Sequence, residues 1–269
     1  MGAFDFRHTM RVIAHSSILS VRNTFAAIPW WLWLLQMFMT SFFSMAFFAF
    51  VADFAGNTEV TVSYVVLGNA IQSIAMVTLY SVANIPAVEK HVGTMPALIA
   101  SPSGLFTIFT GMSLFQILAG FLTVTVSLGY ATFIFGLDLS AMQPEVITTI
   151  VILTSFSMAG LGMMIGAAGI YLRTGMILAS VISYVGLVLC GVNFPVSYLP
   201  AWLQPVSYAL PLTYSVEAAR MAAEGATLSD VLPQLQMMVL LGTIMLMLSY
   251  FMLQGFERMV RRKGSYEAF

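Results

Sequence analysis

Charge is so sparse along this chain that most of it can only lie in hydrocarbon. Asp, Glu, Lys and Arg make up 8% of the residues, while 59% are apolar. No charged side chain occurs between Asn23 and Ala52, Val60 and Val88, His91 and Leu137, Val146 and Leu172, Thr174 and Val216, or Val231 and Phe256. Each run exceeds the ~20 apolar residues that carry a helix across a hydrocarbon core about 30 Å thick. A closed strand barrel would show short alternating segments instead. The sequence therefore predicts an all-α polytopic membrane protein with six transmembrane helices, at roughly 29–51, 60–83, 105–135, 146–170, 174–191 and 232–256.

The few charges then orient the chain. With six spans, Arg7, Arg11, Arg22, Lys90, Arg173, Arg258, Arg261, Arg262 and Lys263 all fall on the side of the termini. Asp53, Glu59, Asp138, Glu145, Glu217, Glu224 and Asp230 fall on the other, with Arg220 as its single base. Basic residues concentrate in cytoplasmic loops, so both termini are expected in the cytoplasm of a bacterial cell, with the chain in the plasma (inner) membrane. A seventh span within 174–216 would reverse this asymmetry at the C-terminal end. Pro195, Pro200, Pro205 and Pro211 also argue against a plain helix there.

Three regions are expected: a cytoplasmic interfacial helix at 1–28, a six-span domain at 29–256 and a basic cytoplasmic tail at 257–269. In the first, Arg7, Arg11, His15 and Arg22 fall near one helical stripe and Phe6, Met10, Ile13 and Val21 on another. Such a helix lies on the leaflet with its arginines toward water and lipid phosphates. It does not read as a signal peptide, because its arginines are spread out and the apolar run that follows is too long. The one cysteine, Cys190, sits in an apolar run, which leaves no disulfide framework.

No catalytic constellation is legible. His8, His15 and His91 are scattered, and no metal site is expected. A phosphate-binding glycine loop is missing, and Lys263-Gly264-Ser265 lacks the residues that would precede it. No ionisable group lies near a predicted bilayer centre, where ion-driven transporters usually carry one. Energy for uphill movement would then come from another chain. Polar residues within the spans include Gln36, Asn69, Gln72, Asn84 and Gln116. Gln36, Asn69 and Gln72 are candidates for lining a path, and hydrogen bonding across a helix interface is the competing reading. Gly160, Gly162, Gly166 and Gly169 read as packing positions.

Two segments are more than spans. The first is Glu89-Lys90-His91-Val92-Gly93-Thr94-Met95-Pro96-Ala97-Leu98-Ile99-Ala100-Ser101-Pro102. A turn into a short amphipathic helix, ended at Ser101-Pro102, fits it, and such a helix projecting inside is a docking element for a soluble partner. The second is Phe194-Pro195-Val196-Ser197-Tyr198-Leu199-Pro200-Ala201-Trp202-Leu203-Gln204-Pro205, leading to Pro211-Leu212-Thr213-Tyr214. Irregular backbone at membrane depth must be buried in protein or line a cavity. Two short half-helices within 192–213, dipping into the outer leaflet, are predicted, with Phe194 and Trp202 closing an exit. For Trp202 the alternative is a simple interfacial anchor.

At these segments the chain resembles the permease subunits of ABC-2 type ATP-binding-cassette exporters. Glu89-Lys90-x-x-Gly93-Thr94-Met95 with Leu98-Ile99-x-Ser101-Pro102 is similar to the motif that follows that family's second span. Phe194 to Leu203, Pro211-Leu212-Thr213 and Arg220 are similar to its proline-rich hallmark. Pro96 departs from the glutamate the family often carries.

The resemblance implies two permease copies, or a permease and a paralogue, paired with two ATPase subunits. ATP and Mg would sit on the ATPase, with no cofactor and no catalytic residue in this chain. It implies ATPase coupling through Glu89, Lys90, His91, Gly93, Thr94, Met95, Leu98, Ser101 and Pro102, with 89–101 as the coupling helix. It implies an external gate at Phe194, Pro195, Pro200 and Trp202, and a path lined by the first, second and fifth spans. Membrane lipids complete the expected partners, and no nucleic acid is expected. The substrate implied is amphipathic, a drug-like natural product or a lipid-like molecule. A polysaccharide or lipo-oligosaccharide, or a non-transport assembly scaffold, are the alternatives.

Overall fold

In the computed structural model, which describes residues 6–172 and 175–263, ten α-helices follow one another and no strand occurs among the described residues. They are α1 (Phe6–Ala27), α2 (Trp30–Ala55), α3 (Val62–Val92), α4 (Met95–Ala100), α5 (Leu105–Phe133) and α6 (Pro144–Leu172). Then come α7 (Gly175–Leu189), α8 (Gln204–Tyr208), α9 (Pro211–Ala223) and α10 (Leu232–Lys263). A single 3-10 turn covers Val196–Tyr198. Five helices, α2, α3, α5, α6 and α10, are long and apolar enough to cross a membrane, and α7 is apolar but only 15 residues long. The chain is an all-α polytopic membrane protein.

α3 is the central helix. It packs against α6, α5, α2, α7 and α9, while α10 lies along α6 and α9. Small residues make this possible. A Cβ on Gly162 would stand 2.7 Å from the Leu79 carbonyl oxygen of α3, and one on Gly160 would stand 2.7 Å from that of Gly242 in α10. With no hydrophobic driving force between helices in lipid, such close backbone contact supplies the association energy. Hydroxyls add to it. Ser127 of α5 donates to Ser73 of α3 at 3.1 Å and also contacts Ser41 of α2.

Two helices outrun their predicted ends. α3 does not stop near 83 but passes through Pro86 to Val92. It ends where Gly93 takes the left-handed conformation at φ +82°. There Gly93 N–H donates to Lys90 O at 3.2 Å and Thr94 N–H to Glu89 O at 3.0 Å, the paired bonds of a Schellman termination. Glu89, Lys90 and His91 therefore belong to the last turn of the second span, and the short helix after it is Met95–Ala100 alone. α10 likewise runs past 256, carrying Arg258, Arg261 and Arg262 on a helix.

α1 corrects the expected apolar stripe. Arg7, Arg11, His15 and Arg22 are exposed as predicted, but so is Met10. The face against α5 instead carries Ile13 and the buried Ser16 and Ser20. Gly111 of α5 explains this, because a Cβ there would lie 2.6 Å from the Ile13 carbonyl and 2.8 Å from Ser16 Cβ. The side chains of Phe6 and Lys263, and the whole of Arg173, Gly264 and Ser265, lie outside the described residues.

Candidate functional site

Two polar constructions sit at opposite ends of α3. The one at its C-terminal end is built on Glu89, which is only 3% exposed. Asn23 at the end of α1 donates through Nδ2 to Glu89 Oε1 at 3.1 Å. The Thr94 hydroxyl contacts Glu89 Oε2 and also lies 3.1 Å from the Glu89 carbonyl. One carboxylate thus ties α1, the end of α3 and the start of α4 together. Buried within its own chain, Glu89 fixes the start of α4 relative to α1 and α3.

α4 turns an apolar side inward. Met95 and Ile99 are 2% and 7% exposed and belong to one apolar cluster with Leu105, Leu253, Phe256 and Val260. Lys90, His91, Gly93, Pro96, Ala97, Ala100 and Pro102 are exposed, and Thr94, Leu98 and Ser101 are half-buried. Ser101 ends α4 with extended backbone at ψ 140°, as the Ser-Pro pair predicts. Open space surrounds Gly93, with no atom within 4 Å of where a Cβ would sit. Its φ would strain any other residue by about 1–2 kcal/mol. We expect Gly93→Trp to insert and fold but to lower ATPase co-purification about tenfold, equivalent to ~1.4 kcal/mol of docking energy. A pull-down with tagged ATPase subunit measures this, and unchanged recovery would count against docking at α4.

The construction at the N-terminal end of α3 centres on Arg220 of α9. Its guanidinium carbon stacks 3.4 Å from the centroid of the Tyr64 ring, at the start of α3. Its terminal nitrogen donates to Val192 O at 3.1 Å and to Tyr64 O at 3.5 Å. The Tyr64 hydroxyl donates to Gly191 O at 3.4 Å. Asn69 Nδ2 donates to Asn193 Oδ1 at 2.8 Å, one turn further along α3. Four elements meet here: α3, the bend after α7, α9 and the entry to the proline-rich segment. The bend comes so close that a Cβ on Gly68 would stand 2.2 Å from the Val192 oxygen.

Beyond that bend the segment 192–213 is broken, as predicted, into a 3-10 turn and the short α8, before α9 begins at Pro211. Phe194 and Pro195 are half-buried, whereas Pro200 and Trp202 are exposed, Trp202 by 74%. The Tyr198 hydroxyl hydrogen-bonds the Glu59 carboxylate in the α2–α3 turn. The loop between α9 and α10 is locally ordered by Thr227 and Asp230. The hydroxyl and backbone N–H of Thr227 hold the Asp230 carboxyl below its usual range.

The three path candidates are not brought together. Asn69 and Gln72 share a face of α3, but within this chain that face is covered. Gln72 Nε2 donates to Ser183 O of α7 at 3.3 Å, and both amides are buried. Gln36 is exposed on α2. Among the described residues no group of three or more His, Cys, Asp or Glu is placed to hold a metal ion. Sequence reasoning missed Tyr64, Asn193, Asn23, Glu257 and Arg261. Their partners lie 66 to 162 residues away, and no local pattern encodes such pairings.

The chain is thus an all-helical membrane bundle with a short helix braced at one end of α3 and a broken, polar-braced segment at the other. The profile of the ABC-2 type transporter family matches residues 9–223, and the chain belongs to that family. No curated protein matches the chain at a significant level. Members of the family are membrane-spanning subunits that normally pair with an ATP-binding-cassette ATPase.

Proposed function

We propose that this chain is the membrane subunit of an ATP-driven exporter that moves an amphipathic molecule, drug-like or lipid-like, out of the cytoplasm or inner leaflet. The observation that carries this is α4. Its apolar side is fixed by Met95 and Ile99, its position is set by Glu89, and Pro96, Ala97 and Ala100 face outward for an ATPase subunit. Six membrane crossings, with α7 as the fifth, put both termini in the cytoplasm of a bacterial cell. A second permease copy or paralogue fits against α2, where Phe43, Phe47, Phe50 and Phe54 form a stripe exposed by 62–95%.

Co-reconstitution with the cognate ATPase tests the function. Amphiphile-stimulated ATP turnover and ATP-dependent amphiphile flux are expected. Assembly without either would favour a scaffold. Topology is tested in a Cys190→Ser background with an impermeant thiol reagent. Gln143→Cys and Gly225→Cys should label from outside intact cells and Ala97→Cys should not. Labelling of Ala97→Cys would overturn the orientation.

A further inference from the structure

The whole of α10 lies beyond the stretch matched to the family, and its end grips the elbow between α4 and α5. Arg261 donates through a terminal nitrogen to Ile99 O at 3.3 Å, in the last turn of α4. Glu257, one helical turn earlier, accepts the backbone N–H of Leu105, the first residue of α5. Helix ends leave such carbonyls and N–H groups without intrahelical partners. A cation at a C-terminus and an anion at an N-terminus also match the helix dipoles. One face of α10 therefore caps both sides of the elbow, and the charges are correctly placed for each.

The surrounding packing has the same form. Leu253, Phe256 and Val260 of α10 are 1%, 2% and 7% exposed and share the apolar cluster that contains Met95, Ile99 and Leu105. Gly104, at φ +74°, turns the chain so closely past Glu257 that a Cβ would lie 3.6 Å from its Oε1. Arg258 faces elsewhere, donating to Gln254 at 2.8 Å. The contact is thus specific to the 253–256–257–260–261 face.

We propose that Glu257 and Arg261 are positioning residues that strap the α4–α5 elbow to α10, so that the docking helix and the last span move as one body during the ATP cycle. The proposal rests on the reading of α4 as the ATPase-docking helix. Without the strap, α4 is held to the bundle by Glu89 and by apolar contact. Force from the ATPase would then bend the elbow instead of moving α10.

The test uses the full complex with its cognate ATPase in nanodiscs, in the Cys190→Ser background, with spin labels at Ser103→Cys and Arg258→Cys. With the strap intact, the distance distribution between the labels is expected to be the same in nucleotide-free and vanadate-trapped complexes. In the Glu257→Gln/Arg261→Gln chain it should broaden on trapping. ATP turnover should fall about tenfold at unchanged assembly, the range of one charge-assisted hydrogen bond. Arg261→Lys keeps a donor for Ile99 O and should restore most of the turnover. A label distance that changes on trapping with the strap intact overturns the proposal, as does normal turnover in the double variant. If the unaltered chain does not assemble with its ATPase, the docking reading fails, and the strap's role falls with it.

Discussion

Replacing Arg220 with Met is expected to free the 192–213 hairpin from α3 and to abolish the proposed transport, while insertion and ATPase binding should persist. Losing the stack on Tyr64 costs about 0.5–2 kcal/mol. Stripping the Val192 carbonyl of its donor costs about 1–3 kcal/mol more. The sum, ~3 kcal/mol, is a large fraction of what holds one segment of a membrane bundle in place. Arg220→Lys should not rescue, because an ammonium cannot stack its plane on the ring while reaching both carbonyls. Gly68→Val approaches the same joint from the other side. Its Cβ would overlap the Val192 oxygen and force the bend away from α3. Flux in proteoliposomes and thermal unfolding in detergent measure both effects. Wild-type flux in Arg220→Met would show that the joint is ornamental.

Glu89→Leu should produce the opposite pattern, with ATP turnover and flux lost together and the outer hairpin unaffected. The substitution leaves Asn23 Nδ2 and the Thr94 hydroxyl without their shared acceptor. Thr94 keeps the Glu89 carbonyl at 3.1 Å, so the loss falls on the half-buried Asn23 amide, and an orphaned donor costs about 1–3 kcal/mol when fully buried. It also severs the polar link that runs from Asn23 of α1 through Glu89 to Thr94 at the start of α4. Glu89→Gln retains an acceptor and should be intermediate. ATPase assays of the purified complex, with insertion checked by membrane fractionation, measure the series. Turnover that persists in Glu89→Leu would mean that apolar contact through Met95 and Ile99 suffices to hold α4.

The two ends differ in how far the sequence discloses them. The membrane helices are visible because the physics behind them is local: hydrocarbon excludes charge, and the runs between Arg22, Asp53, Glu59 and Glu89 follow directly. The broken hairpin is visible for a similar reason, since Pro195, Pro200 and Pro205 cannot sit in one continuous helix. Helix ends are less legible. The second span is expected to stop near 83, but α3 passes through Pro86 and ends only at Gly93, where the paired carbonyls of Glu89 and Lys90 find donors. The polar joints are hidden altogether. Arg220 reads as a lone base on an acidic side and as part of the proline-rich resemblance, but only the fold lays it on Tyr64, 156 residues earlier. Glu257 and Arg261 read as part of a basic tail. Asn69 and Gln72 can be placed on one face by counting, but only the fold shows that α7 covers that face.

The shortness of α7 has a consequence for the lipid around it. Its 15 residues rise about 22 Å, some 8 Å less than a hydrocarbon core about 30 Å thick. If α7 is the fifth crossing, as proposed, the remainder is filled by the bend at Gly191, the 3-10 turn and α8, whose polar groups need water or protein partners. Lipids beside this corner must shorten or tilt to meet it, and headgroups and water follow them inward. An amphipathic molecule leaving there would find a dimple in the outer monolayer, where its polar end meets water before its apolar end has left the chains.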